Sequence, residues 1–199
     1  LVEGVSFYTK NPDETTGLLH PIIGHYKVSD INFVCAFDVD ERKVGKKLHE
    51  AISAGMNITR EITKPLEYEA LVYRGPTLDG VIKEMQGSFV HESQEESIDV
   101  AKILKETKTD VLVNLVPSGS DEASVFYAQE ALKAGCSFIN CIPSPLATVA
   151  ELREQFESNG LILLGDDIKS QIGATLLNRF VLQLLKMRGV RVTKSHLEI

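Results

Sequence analysis

Short apolar runs alternate with stretches of helical period along most of this chain, and this alternation limits the folds open to it. The runs are rich in β-branched and aromatic residues, and the stretches between them repeat apolar residues every three or four positions. Strands that alternate with helices of about 10–15 residues form βαβ units with parallel strands and right-handed crossovers. The predicted strands are 31–37, 110–115, 137–140 and 161–164, and the predicted helices are 41–54, 93–106, 123–134, 149–158 and one near residue 176.

This pattern predicts an α/β fold with a Rossmann-like, doubly wound, mostly parallel sheet. Two stretches do not follow it: residues 11–30 are predicted to be an ordered loop insertion, and residues 55–80 also break the alternation of strands and helices. Residues 1–8 have the pattern of the later turns of a helix, and residues 191–199 alternate like a strand that stops without a turn. We therefore expect the sequence to be an internal piece of a longer polypeptide.

The charge balance argues against a nucleic-acid partner. The 199 residues carry 21 Lys and Arg against 28 Asp and Glu, a formal net charge of −7, whereas non-specific nucleic-acid binding needs a basic surface. Cys35, Cys136 and Cys141 form no C-x-x-C pair, which favours a reducing compartment. We find no membrane-length apolar run, no signal segment and no metal-ligand spacing among the histidines. We therefore expect a cytoplasmic protein with no membrane partner and no metal.

The turn from Gly165 to Thr175 is the strongest candidate for a site. Two carboxylates, a lysine, a serine and two glycines lie between a predicted strand and a predicted helix. Ligands in open α/β sheets bind at the carboxyl ends of the strands, which is where this turn is predicted to lie. The alternative is that Asp166 or Asp167 caps the helix that follows, because a carboxylate is favourable near a helix N-terminus.

An acidic residue follows the first predicted strand. In a dinucleotide-binding fold, a carboxylate at the position of Asp38 accepts hydrogen bonds from the adenosine ribose, and it favours NAD over NADP because a 2′-phosphate would meet it. Asp40 and Glu41 lie close by, and the alternative for these two carboxylates is that they cap the helix predicted over residues 41–54. The glycine-rich turn G-x-G-x-x-G that accompanies such a carboxylate is not in the sequence. Arg74 is a further candidate, as a phosphate ligand.

Two more strand ends carry turns of interest. Residues 114–120 contain a proline and a glycine before a helix, and such a turn exposes backbone N–H groups to a phosphate or a ribose. The alternative is a helix start capped by Ser118 or Ser120. Residues 140–145 contain two prolines that stiffen a crossover. Cys141 among them is interpreted as a buried structural thiol rather than a nucleophile, because no histidine is placed by sequence to activate it.

Taken in order, these motifs resemble those of the inositol-1-phosphate synthases of the archaeal and bacterial type. The resemblance covers essentially the whole chain at compatible spacing, and its specificity lies in the ordered set rather than in one motif. The segments that carry it are GLLH at 17–20, GHY at 24–26, AFDVD at 36–40, RGPTLDG at 74–80, N-x-x-P-x-GS at 114–120, F-x-NCIP at 138–143 and GDDIKSQ at 165–171.

The resemblance implies a NAD-binding Rossmann-like domain, here residues 1–168, and the beginning of a catalytic and oligomerisation domain, here residues 169–199. It implies NAD as cofactor, glucose 6-phosphate as substrate and a homo-oligomer, usually a tetramer. In this family, carbon 5 of the sugar phosphate is oxidised, enolisation and aldol closure join carbons 1 and 6, and the ketone is reduced again. The product, inositol 1-phosphate, supplies inositol and phospholipid biosynthesis, and no net redox change occurs.

The resemblance also implies individual roles. Lys169 would be an electrostatic or proton-transfer group, with Asp167 as its partner or as a ribose contact. The family's glycine-rich turn would precede Leu1 and its lysine-rich catalytic segment would follow Ile199, so we expect these 199 residues alone to be inactive. A dehydrogenase with net NADH turnover and a non-catalytic NAD-binding paralogue are the alternative hypotheses. The residues expected to line the dinucleotide are Asp38, Thr77, Asn114, Leu115, Val116, Pro117, Ser118, Asn140, Cys141, Ile142, Pro143, Gly165, Asp166 and Asp167.

Overall fold

The computed structural model of the chain describes residues 1–55, 60–81, 87, 89–168 and 173–196. The chain divides into two compact units, Leu1–Asp166 and Asp167–Ile199. The assignment of residues 1–168 and 169–199 to a cofactor domain and a catalytic domain stays a prediction.

The first unit contains α1 (Val2–Lys10), β1 (Ile22–Ile23), β2 (Tyr26–Lys27), a 3₁₀ turn (Val28–Asp30), β3 (Cys35–Asp38), α2 (Leu48–Ala51), β4 (Leu71–Arg74), α3 (Val100–Glu106), β5 (Val111–Asn114), α4 (Asp121–Ala134), β6 (Ser137–Asn140), α5 (Ala150–Ser158) and β7 (Leu163–Leu164).

Parallel strand pairs organise the first unit. β3 pairs with β4 so that Asp38 lies opposite Arg74. β6 lies between β5 and β7, and Asn114 at the end of β5 lies opposite Asn140 at the end of β6. These pairs, each joined by a helical crossover, confirm the predicted α/β, Rossmann-like class. The short antiparallel pair of β1 and β2 lies within residues 11–30, where the sequence analysis predicted an ordered loop insertion.

Two predictions around β4 are wrong. Residues 55–80 were predicted to fall outside the alternation of strands and helices, but β4 lies within them and pairs with β3. The helix predicted over residues 41–54 is reduced to the four residues of α2. The Gly45 N–H donates to the Val72 carbonyl at 2.8 Å, and the Val72 N–H donates to the Lys46 carbonyl at 2.9 Å. Because these backbone groups are bonded to β4, they cannot form helical hydrogen bonds with one another.

The helix predicted over residues 93–106 is also too long, since α3 begins only at Val100. The Ile98 N–H donates to the Arg74 carbonyl at 3.0 Å, so the chain before the helix continues alongside β4. Asp99 then caps α3 by accepting from the Lys102 N–H at 2.9 Å. A side-chain oxygen at this position satisfies one of the unbonded N–H groups of the first turn.

Helix α4 packs against both groups of strands. The ring of Tyr127 on α4 lies 6.0 Å from the ring of Phe37 on β3, and Phe138 of β6 is fully buried in the same core. Burial of a side chain as large as phenylalanine contributes about 1.5–3 kcal/mol to stability. The helix ends at Gly135, as predicted, with a left-handed φ of +79°. The core residues are Val100, Leu104, Tyr127, Ala128, Ala131, Cys136, Phe138, Leu146, Leu152 and Phe156.

The second unit contains α6 (Ala174–Met187), which the apolar stripe in the sequence predicted. Residues 191–196 form no strand, so the strand predicted over residues 191–199 is wrong for the part that the structure describes. Among the described residues of both units, no helix combines the length and the apolar composition that crossing a membrane requires.

Candidate functional site

Polar side chains lie at the carboxyl ends of two parallel strand pairs, β3 with β4 and β5 with β6. Asp38 and Arg74 are paired there, and so are Asn114 and Asn140. Each pairing continues for one bond beyond the strands: the Gly75 N–H donates to the Asp38 carbonyl at 3.1 Å, and the Cys141 N–H donates to the Asn114 carbonyl at 3.1 Å. The structure therefore brings predicted site residues together in two pairs, at the strand ends where α/β sheets bind ligands.

Asp38 holds the turn that follows β3 and keeps one carboxylate oxygen outward. Its Oδ1 atom accepts from the N–H groups of Val39 and Asp40, at 2.7 and 2.9 Å. Its Oδ2 atom lies 3.1 Å from Nζ of Lys43, and both side chains are half-exposed. Since a carboxylate oxygen accepts more than one hydrogen bond, Oδ2 retains capacity for a ligand hydroxyl.

The alternative that Asp40 or Glu41 caps a helix is wrong, because the N-cap of α2 is Lys47. Asp40 is buried and binds the guanidinium of Arg42 through both oxygens, with distances of 2.5 to 3.2 Å. Burial raises the pKa of Asp40, but the hydrogen bonds and charge of Arg42 outweigh it, so the pKa lies below its usual value. Asp40 thus closes the turn between β3 and α2.

Arg74 is buried and donates to the protein itself. Its guanidinium binds Thr77 Oγ1 at 2.7 Å and Glu92 Oε1 at 3.1 Å, and it also donates to the carbonyls of Gly75 and Ser93. Thr77 donates in turn to Glu92. Arg74 is a predicted phosphate ligand, but its contacts in the structure instead fix the loop that carries Thr77, a predicted cofactor contact.

The other end of that loop is held by Asp79. Its two carboxylate oxygens accept from the N–H groups of Glu122 and Ala123, at 2.7 and 2.9 Å, in the first turn of α4. Of the two serines that the alternative named, Ser120 is the N-cap residue of α4, but its side chain makes no capping hydrogen bond. A carboxylate 43 residues away supplies the cap, and local sequence patterns could not have revealed it. The loop is anchored to β4 at one end and to α4 at the other.

A chain of buried amides connects β5, β6 and the loop after β7. Asn114 Nδ2 donates to Ser124 Oγ at 3.0 Å and to Asn140 Oδ1 at 2.9 Å. Asn140 Nδ2 donates to Asp166 Oδ1 at 2.9 Å and to the Ser144 carbonyl at 2.7 Å. Asn114 and Asn140 are 3% and 2% exposed, so these bonds satisfy polar groups that water does not reach.

Asp166 is held within the first unit. Besides Asn140, its carboxylate accepts from the Ala147 N–H at 3.1 and 3.2 Å. The N-cap of α6 is Gly173, without a side-chain cap, so the alternative that Asp166 or Asp167 caps that helix is wrong. Asp167 is exposed and has a left-handed φ of +74°. Lys169 lies outside the described residues.

The remaining predicted cofactor contacts differ in exposure. Cys141 is half-buried, and burial raises the pKa of its thiol, which opposes the thiolate that a nucleophile needs. In the parts of the chain that the structure describes, no three His, Cys, Asp or Glu side chains lie together as a metal site would require. Leu115, Pro117, Ser118, Pro143 and Gly165 are exposed, Thr77 and Val116 are half-buried, and Ile142 is buried.

Comparison with known proteins yields close relatives, although no protein-family profile matches the chain. The chain is 45% identical to the inositol-3-phosphate synthase of Mycolicibacterium smegmatis, in an alignment of 199 positions that covers 98% of the chain and 54% of the relative. It is also 45% identical to the inositol-3-phosphate synthase of Corynebacterium glutamicum, over 98% of the chain and 54% of that relative. The chain thus spans about half the length of the curated relatives it matches.

Two solved structures share the fold. The crystal structure of Ari2 matches with a TM-score of 0.78 and 31% identity, over 94% of the chain and 56% of that protein. A myo-inositol-1-phosphate synthase-related protein from Thermotoga maritima matches with a TM-score of 0.66 and 22% identity over the same shares, which supports the fold alone. Over 98% of its length the chain is thus a homologue of curated inositol-3-phosphate synthases, and it matches about half the length of each.

Proposed function

We propose that the full-length protein that contains this chain binds NAD at the carboxyl edge of the β3 and β5 strands. The observation that carries the proposal is the carboxylate of Asp38, half-exposed at the end of β3, where dinucleotide-binding folds hold the adenosine ribose. The loops after β4 and β5 follow strands whose carboxyl ends point the same way within their own sheets. These loops carry Thr77 and residues 115–118.

The donor and acceptor set fits such a cofactor. Asp38 Oδ2 has acceptor capacity toward solvent, and Leu115, Pro117 and Ser118 offer exposed apolar surface and backbone groups after β5. At the start of α4, Ser120 Oγ is buried and has no hydrogen-bond partner among the described residues. Buried hydroxyls without partners are rare in native proteins, so this one is available to a group that approaches the edge.

The chain's own residues would bind and orient the cofactor. NAD, when bound, supplies hydride transfer, which no amino-acid side chain performs. Asp38 holds the adenosine ribose, and Arg74 fixes the loop that presents Thr77. Asp167, an exposed residue that follows β7 in the sequence, is the proposed ribose contact or partner of Lys169. The proposed role of Lys169 is to stabilise the negative charge that builds on oxygen during enolisation, or to transfer a proton there.

We further propose that the full-length protein isomerises glucose 6-phosphate to an inositol monophosphate, in the cytoplasm and as a homo-oligomer. The names of the bacterial relatives support the class of reaction. The proposed sequence is oxidation, enolisation, aldol closure and reduction, and it requires the cofactor to be regenerated in each cycle. This internal regeneration separates the proposed enzyme from a dehydrogenase.

The test is to incubate the full-length protein with glucose 6-phosphate and NAD⁺ and to follow inositol phosphate and NADH together. We expect inositol phosphate without steady NADH accumulation. Continuous NADH without inositol phosphate would identify a dehydrogenase, and NAD binding without either product would identify a non-catalytic paralogue. In the active protein, Lys169→Ala should lower turnover far more than it weakens NAD binding. Lys102→Ala, at an exposed position of α3, is the matched control and should change neither.

A further inference from the structure

We propose that Lys43 sets how strongly the site distinguishes NAD from NADP. The Nζ atom of Lys43 lies 3.1 Å from Asp38 Oδ2, and the two side chains are 32% and 30% exposed. The ammonium group therefore lies beside the carboxylate oxygen that is proposed to accept a hydrogen bond from the adenosine ribose. This inference rests on the proposed function, since it assigns a cofactor preference to the same site.

The two oxygens of Asp38 are not equivalent. Oδ1 accepts two backbone N–H groups of the turn and is committed to the fold. Oδ2 is left to a ligand, and Lys43 is its partner in the structure. A carboxylate rejects NADP because its negative charge faces the 2′-phosphate, and a cation beside it weakens that rejection. Lys43 can also attract the phosphate directly, because ammonium groups bind phosphate as point charges.

Two neighbouring basic side chains, Arg42 and Lys47, bind other groups. Arg42 binds Asp40 and donates to the Phe89 carbonyl at 2.7 Å. Lys47 binds Glu69 at 2.8 Å. The position of Lys43 itself is fixed, because its N–H donates to the Asp40 carbonyl at 2.9 Å and the next side chain is buried. The turn therefore presents Lys43 to Asp38.

The expected change is in the ratio of two dissociation constants. In Lys43→Met, Asp38 loses its counter-charge, so the Kd for NADP⁺ should rise roughly tenfold, the effect of one charge at a partly exposed site. The Kd for NAD⁺ should stay within about twofold, since the ribose hydroxyls still find the carboxylate. Lys46→Met removes an exposed lysine three residues away and is the matched control, with no expected change in the ratio.

The experiment is calorimetric titration of the full-length protein with NAD⁺ and with NADP⁺, for the wild type, K43M and K46M. A second pair of variants, D38N and D38N/K43M, keeps NADP⁺ binding measurable, because the negative charge that opposes the 2′-phosphate is removed. The turn itself is preserved, since the amide oxygen of Asn still accepts hydrogen bonds from the backbone N–H groups. We expect D38N to bind NADP⁺ about tenfold more tightly than the wild type, and D38N/K43M to lose that gain.

The outcomes separate the two proposals. Wild-type protein that binds neither nucleotide would refute the proposed NAD site itself. Wild-type protein that binds NAD⁺, with the same ratio in K43M as in the wild type, would overturn the role of Lys43 and leave the NAD site standing. An equal shift in K46M would also overturn it, since the effect would then be one of net charge. Loss of the D38N gain on adding K43M would support the inference.

Discussion

Asn114 and Asn140 lie side by side at the carboxyl ends of β5 and β6, and Asn114 Nδ2 donates to Asn140 Oδ1 at 2.9 Å. Both amides are buried, and the chain of bonds continues through Asn140 Nδ2 to Asp166. The two strand ends and the loop after β7 are therefore joined by side chains as well as by the backbone. A buried network of this kind is stable only while every member finds its partners.

The first prediction follows from that dependence. Asn140→Asp replaces the Nδ2 donor with a second carboxylate beside Asp166, so the contacts of Nδ2 with the Ile142 and Ser144 carbonyls and with Asp166 are lost and two like charges meet. We expect the free energy of unfolding to fall by about 2–4 kcal/mol, measured by urea unfolding. The exposed Asn32→Asp is the control and should change it by less than about 0.5 kcal/mol. Equal effects of the two substitutions would show that the buried network is not needed.

The second prediction concerns the cap that Asp79 provides to α4. Asp79→Ala leaves two N–H groups of the first helical turn without acceptors and should cost about 1–2 kcal/mol. Asp79→Asn keeps one oxygen and should cost less. Asp13→Ala, at an exposed position, serves as the control. Urea unfolding ranks the four proteins, and a D79A stability equal to that of D13A would contradict the cap.

The third prediction tests the close approach of α4 to the turn after β4. A Cβ atom at Gly75 would collide with the hydroxyl of Tyr127 and lie 3.4 Å from its ring carbon Cζ. Gly75→Ala should therefore destabilise the protein by about 1–3 kcal/mol, and adding Tyr127→Phe should recover part of that loss. Gly4→Ala, in α1 with open space around it, should stabilise by about 0.5–1 kcal/mol. A double variant no more stable than G75A would refute the collision.

The periodicity of the sequence predicts the strands that are long enough to carry it. The predictions for β5 and β6 agree with the structure to within about one residue at each end, because an apolar run bounded by polar residues marks a buried strand. β4 was missed because its four residues, Leu71–Arg74, are too few to show a clear alternation in the sequence. The helix predicted over residues 41–54 failed because hydrogen bonds to β4, remote in sequence, replaced the helical ones.

In the candidate site too, features marked by the local sequence could be predicted, whereas contacts between residues remote in sequence could not. Asp38, Asn114 and Asn140 could be named from the sequence because each lies at or next to the end of a predicted strand. The parts played by Asp79 and Glu92 could not, since the partners of each are fixed only when the chain folds. Glu92 meets Arg74 from 18 residues away, and Asp79 meets α4 from more than 40. Local patterns carry no information about such pairs.

The last prediction concerns the phenol of Tyr127, which is 9% exposed between Phe37 and Gly75. Burial, and secondarily the charge of Asp38, raises its pKa to about 12. The folded pKa exceeds the unfolded value of about 10, so the folded state holds the proton more tightly than the unfolded state does. Its contribution to stability is therefore fully present below about pH 10 and is lost as the pH rises toward 12.

Absorbance at the tyrosinate band measures this titration directly. Five tyrosines contribute, and we expect one to titrate late, near pH 12, in the folded protein. Tyr127→Phe should remove that late step and flatten the loss of stability between about pH 10 and 12, while Tyr26→Phe, at an exposed position, should leave the late step and the loss of stability in place. A late step that persists in Y127F would assign the raised pKa to another phenol and would contradict the packing of Tyr127 against Gly75.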